Sequence, residues 1–215
     1  MERVPIVVFV SGSGSNCEAI CAAADAGHCA AEVVAVVSDQ PDAFGLTRAA
    51  RRGIPTYGLS PKGFPSRGAH EQALLDRVAP HRPRLAVLAG YMRLVTTTLL
   101  NHFREGDRLG VVNIHPADTG AYQGTHGYEY ALGLTPGSDR RLEETRISVH
   151  FVDEGMDTGP LIAQAPVVIH PEDTLDEVKT RGLAVEHQLY PRVVHDVVRG
   201  RVRLEDGRAV RSETD

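Results

Sequence analysis

The chain has 215 residues, of which 42% are hydrophobic and 24% charged, and its formal net charge is −5 at pH 7. That length and balance suit one medium folded domain with a substantial core, and the acidic surplus argues against a general binder of nucleic acid or of membrane surfaces. No apolar run approaches the roughly 20 residues that span a bilayer.

In chain order, residues 6–10 predict a fully buried first strand. The N-terminal run is not a signal peptide in this reading, because it leads into Gly-Ser rather than a small-residue cleavage site. An Ala-rich helix over 16–26, closed by Gly27, follows, then a strand over 31–39, a helix over 46–53 closed by Gly53, and a short strand over 54–59. Residues 66–78 predict a helix, 85–90 a buried strand, 97–103 a helix, and 110–116 a strand that ends in polar residues. After a loop-rich stretch, 147–153 and 161–169 predict paired strands. A long helix starts after Thr174, where Thr174 and Glu177 make a T-x-x-E capping box. Short apolar strands alternating with helices predict an α/β fold, a Rossmann-like open, mostly parallel twisted sheet flanked by helices. One domain is expected over 1–200, with 201–215 as an extension that forms a short hairpin or ribbon and then frays. Cys17, Cys21 and Cys29 lack nearby partners for a zinc site. They are expected to be reduced and packed, which implies a cytoplasmic protein.

The loop "SGSGSN" at 11–16 joins the first strand to the first helix, a place where backbone N–H groups converge on anions. A P-loop would need a Lys that is absent, and the dinucleotide fingerprint would need Gly where Cys17 stands. A phosphate monoester on Gly14, Ser15 and Asn16 and an ordinary strand-to-helix turn both remain. "NIHP" at 113–116 says more: Asn113 and His115 are two apart on a strand, so both face one side at its carboxyl end. An Asn amide can donate to a developing oxyanion, and a His can stabilise charge or move a proton. Asp157, in "MDTGP" at 156–160, sits in a turn-like setting that can aim a carboxylate at the same cleft. Asp153 and Glu154 read as a solvated pair, and His150 as core or, with His115 and Asp157, as a metal ligand. With no strong Ser or Cys nucleophile, the set points to positioning and proton transfer around attack by the substrate itself.

These pieces together resemble the folate-dependent formyltransferase family over residues 6 to about 200: "VSGSGSN" (10–16), "SD" and "DAFGLTRA" within 38–49, "FPSR" (64–67), "VLAGYMRLV" (87–95), "NIHP", "SVHFV" with "MDTGP", and "EHQLYPRVV" (186–194). The resemblance implies the formyltransferase fold, 10-formyltetrahydrofolate as co-substrate and no metal. It implies formyl transfer to the primary amine of a phosphorylated substrate, first glycinamide ribonucleotide of purine biosynthesis, in a monomer or homodimer without nucleic-acid or membrane partners. It makes Asn113, His115 and Asp157 catalytic, Gly14, Ser15 and Asn16 the phosphate loop, and Glu186 a contact to the substrate ribose. Arg67, Tyr91, Met92, Arg93, Leu94 and Val95 would line the folate site. In that scheme Asp157 holds His115 in its charged form, since a neighbouring carboxylate raises a His pKa.

The chain departs from the family pattern where Ser-Leu-Leu-Pro is replaced by Ala117-Asp118-Thr119-Gly120, in a longer segment between Leu132 and Ile147, and at Leu183, where many members carry Lys or Gln. A different acceptor amine, a 10-formyltetrahydrofolate hydrolase, and a non-catalytic module that keeps the pocket are the alternatives.

Overall fold

Nearly continuous runs of Val, Ile, Leu and Ala at 4–10, 31–38 and 85–88 become strands covered on both faces, as parallel sheets require. The computed structural model describes residues 2–136 and 140–212. Its main sheet has seven strands: β1 (Val4–Val10), β2 (Ala31–Ser38), β3 (Thr56–Gly58), β4 (Leu85–Leu88), β5 (Val111–His115), β6 (Glu144–Phe151) and β7 (Leu161–Val168). They lie in the order β3-β2-β1-β4-β5-β6-β7. The first five run parallel, and β6 and β7 add antiparallel pairs, with Asn113 opposite His150 and His115 opposite Ser148. The α/β expectation holds.

Among the described residues six α-helices pack around the sheet: α1 (Ser15–Asp25), α2 (Phe44–Arg51), α3 (Arg67–Val78), α4 (Thr97–His102), α5 (Gly127–Ala131) and α6 (Leu175–Val198). Side chains of β1 alternate between the two layers they cover. Ile6, Val8 and Val10 meet α1 and α6, while Val7 and Phe9 meet α3 and α4. Helix α6 starts on the expected capping box, in which Thr174 Oγ1 accepts from Glu177 N and Glu177 Oε2 accepts from Thr174 N. The three cysteines are buried and unbridged.

Two pieces escaped the sequence reading. The short helix α5 lies in the stretch expected to be loop, entered through His126 in a left-handed conformation that no apolar period announces. A 3-10 turn, Ala79–His81, extends α3. The expected hairpin forms from β8 (Val202–Glu205) and β9 (Arg208–Arg211) across Asp206-Gly207. Both turn residues have positive φ, which suits a Gly and a neighbouring Asp. The frayed end expected near 215 falls partly on 213–215, and part of the longer loop falls on 137–139, outside the described residues.

Tyr190 ties the long helix to the sheet. It is fully buried, and its hydroxyl donates toward Leu88 O at 2.8 Å and Val112 O at 3.1 Å, on the adjacent strands β4 and β5. Tyr190→Phe is expected to lower unfolding free energy by about 1–2 kcal/mol with an unchanged denaturant slope, measured by urea titration.

Candidate active site

Strand β1 lies between β2 and β4, so the chain leaves β1 toward one edge of the sheet and β4 toward the other. At such a reversal of strand order the connections diverge and open a crevice at the carboxyl ends. A cavity of about 720 Å³ lies there, walled by the 11–16 loop, the 88–95 segment, the end of β5, α5 and one face of α6.

The glycine loop has a steric reason for its composition. Gly14 caps α1 in a left-handed conformation (φ 70°), and a Cβ on it would lie 2.5 Å from Gly45 Cα. Gly45 N in turn donates to Gly12 O at 2.9 Å, so the loop is pressed against the start of α2. No side chain caps α1, which leaves its first-turn N–H groups available to an anion. Asn16 points its amide across the cavity floor to α6, donating from Nδ2 to Glu186 Oε2 at 2.6 Å. Its Oδ1 is buried and has no partner among the described residues. Glu186 Oε1 accepts from the Tyr128 hydroxyl at 2.9 Å. Burial and the Glu186 charge push the Tyr128 phenol up, so it stays a donor.

Asn113, His115 and Asp157 meet as expected, with His150 among them. Asp157 has φ 53°, a left-handed turn position that swings its carboxylate inward. Its Oδ2 accepts from Gly124 N at 2.9 Å and lies 3.4 Å from His115 Nδ1. Its Oδ1 accepts from Asn113 Nδ2 at 3.2 Å and lies 3.4 Å from His150 Nε2. Burial acts to raise the Asp157 pKa, but His150, His115 and the Gly124 N–H together bring it below the ordinary Asp value. His115 corrects the sequence-based expectation. Burial pushes its pKa down, and the opposing effects of Asp157 and of Tyr122 O, 3.3 Å from Nε2, do not recover the loss. The resting ring is therefore held toward its neutral form rather than locked as imidazolium.

The second wall is the segment after β4. Tyr91 is buried edge-on against Phe9, and Val95 is buried, while Met92 and Leu94 are 71% and 39% exposed beside the cavity with Arg93 between them. The segment is held at both ends. Met92 N donates to Ser11 Oγ at 2.9 Å, and Ser11 donates to buried Asp39 at 2.5 Å. Buried Glu71 accepts from Thr96 N, Thr96 Oγ1 and Leu99 N. Arg67 stands apart: it is the exposed first residue of α3, following the Ser66 cap, and does not line the cavity.

Asp118 also turns away. Its Oδ1 accepts from Gly120 N at 3.0 Å and from Gln164 Nε2 at 3.1 Å, so it adds no charge to the cavity wall. Leu183 does line the cavity. Lys179, one turn earlier on α6, pairs with Glu129 at 3.1 Å. Asp153 is not merely solvated, since it caps its own turn by accepting from Gly155 N and Thr158 Oγ1. Sequence reasoning left Tyr128 and Lys179 out of the site and weighed His150 only as core or as a metal ligand. His150 enters through its register opposite Asn113, which a sequence without strand pairing does not reveal. Among the described residues no three His, Cys, Asp or Glu side chains are grouped to hold a metal ion, and no helix is long and apolar enough to cross a membrane.

The formyl transferase family model matches residues 4–194. Phosphoribosylglycinamide formyltransferase of Escherichia coli (strain K12) is 37% identical over 204 residues, covering 95% of this chain and 92% of that protein. The Bacillus subtilis (strain 168) protein of the same name is 37% identical over 193 residues, covering 89% and 93%. Among solved structures, glycinamide ribonucleotide transformylase 1 from Symbiobacterium toebii superposes with a TM-score of 0.89 at 35% identity, covering 98% of this chain and 95% of that one.

A ring whose folded pKa is depressed binds its proton less readily in the native than in the unfolded state. Stability from the buried His115 is thus complete above the ordinary His pKa of 6.5 and is lost as pH falls from there toward the folded value. In an NMR titration the His115 midpoint is expected below 6.5, and Asp157→Asn should lower it further by removing the carboxylate that opposes burial.

Proposed function

The chain belongs to the formyl transferase family, and we propose that it moves the formyl group of 10-formyltetrahydrofolate to the primary amine of glycinamide ribonucleotide, in the cytoplasm, as a step of purine biosynthesis. The observation that carries this is the convergence of Asn113, His115 and Asp157 between an uncapped helix N-terminus and an exposed apolar wall. One end of the cavity suits a phosphate and the other a flat folate ring system. Support for the acceptor comes from the two curated relatives, whose names specify phosphoribosylglycinamide as the molecule formylated. We take residues 1–200 as one formyltransferase domain and 201–215 as its extension.

In this reading the folate co-substrate supplies an activated formyl group, and the protein supplies position and charge. Backbone N–H groups of Gly14, Ser15 and Asn16 hold the phosphate, and Glu186 meets the ribose hydroxyls. Tyr91, Met92, Arg93, Leu94 and Val95 form the folate wall, leaving Arg67 to whatever part of the folate projects beyond the cavity. The amine nitrogen attacks the formyl carbon directly, so no covalent protein nucleophile is needed. Asn113 donates an amide N–H to the oxygen on which negative charge develops. That charge also draws a proton onto the buried His115 ring, which already faces acceptors at both nitrogens. Asp157 and His115 carry the proton lost by the amine toward the folate nitrogen that the formyl group leaves. Asp118 lies off the cavity wall, so its charge does not oppose a phosphorylated acceptor.

With 10-formyltetrahydrofolate and glycinamide ribonucleotide, tetrahydrofolate should appear in step with formylated product. Asn113→Ala should lower kcat by roughly 10²–10³, and His115→Ala should abolish transfer while folate still binds by fluorescence titration. Tetrahydrofolate release without an amine would make the protein a hydrolase, and turnover with another amine alone would overturn the acceptor.

A further inference from the structure

Helix α6 carries a glycine, Gly182, in its interior, where glycine is the least favourable residue after proline. The reason lies across the cavity floor. A Cβ at position 182 would overlap the hydroxyl oxygen and the adjoining ring carbons of Tyr128. The missing side chain is the slot into which that phenol fits. Gly182 and Glu186 are one helical turn apart, so the slot delivers the Tyr128 hydroxyl to Glu186 Oε1 at 2.9 Å. Asn16 Nδ2 meets the other carboxylate oxygen at 2.6 Å. Both Glu186 and Tyr128 are 6% exposed, and both line the cavity. Each oxygen therefore holds one protein donor and keeps acceptor capacity for a ligand, an arrangement that suits two neighbouring hydroxyls. A second contact, Lys179 Nζ to Glu129 at 3.1 Å, fixes α5 against the same face of α6.

We propose that Tyr128 is a positioning residue that determines acceptor specificity: its hydroxyl, admitted by the glycine at 182, holds the Glu186 carboxylate in the orientation that receives the vicinal hydroxyls of the acceptor's sugar. The inference rests on the assignment of Glu186 to the acceptor site made above. It extends that assignment to α5, a helix that touches no reacting atom. Without the phenol, Glu186 retains only its bond to Asn16 and loses the constraint on one oxygen. The cost falls on acceptor binding and not on the folate wall or on the Asn113–His115–Asp157 cluster, which other elements hold.

The test is steady-state kinetics on the full chain, varying glycinamide ribonucleotide and 10-formyltetrahydrofolate independently. Tyr128→Phe should raise KM for the acceptor roughly tenfold, as expected for loss of a hydrogen bond to a charged group. KM for the folate and kcat should stay within about twofold on the same reasoning. Gly182→Ala, which closes the slot, should reproduce that split; Tyr128→Phe carries the test alone if the alanine variant does not fold. Equal changes in both KM values, or no change in either, would overturn the proposal. Glu186→Gln separates the two levels. If Glu186→Gln raises the acceptor KM and Tyr128→Phe does not, the role of Tyr128 is wrong. If Glu186→Gln leaves it unchanged, Glu186 is not an acceptor contact, and the role of Tyr128 falls with it.

Discussion

Everything functional in this molecule depends on the reversal of strand order at β1. Because β2 and β4 flank β1 and the chain departs from them in opposite directions, no connection can cover the carboxyl ends between them. The 11–16 loop and the 90–95 segment become facing walls, and Ser11 bonds to both Asp39 and Met92, joining β2, β1 and the segment after β4 at one hydroxyl. The next strand, β5, then presents Asn113 and His115 at the mouth of that crevice. The close approach of Gly14 to Gly45 leaves no room for a side chain on that part of the first wall.

Within the crevice, one carboxylate organises the polar groups. Asp157 has contacts with Asn113, His115, His150 and the Gly124 N–H, drawn from β5, β6 and the loop before α5. Its left-handed backbone makes this inward position possible. Concentrating these groups in a buried site lowers both pKa values, with opposite effects on charge. Asp157, surrounded by donors, favours its anion, whereas His115 loses more by leaving water than it gains from Asp157. A ring held toward its neutral form can accept a proton, which a permanently charged ring could only donate.

One wall of the cavity is built by contacts between α5 and α6. Tyr128 in the Gly182 slot and Lys179 against Glu129 join a five-residue helix to the long one. The segment that departs most from the family pattern, 117–120, spends its acidic residue on Gln164 of β7. Differences that look alike in the sequence thus have unequal weight: Asp118 lies off the cavity, while Leu183 faces it.

The sequence alone determined the α/β class, nearly all the strands and helices, the glycine turn at 11–16, and the candidate trio Asn113, His115 and Asp157. Those features are local: strand runs, caps, glycine turns and a spacing of two each act over a few residues. Only the tertiary structure decided that His150 joins the trio, because strand register puts it opposite Asn113. Packing likewise placed Tyr128 on Glu186, kept Arg67 outside the cavity and turned Asp118 away. It also reversed the expected direction at His115, since a neighbouring carboxylate can be inferred from a motif, but the loss of water around a ring depends on everything folded over it.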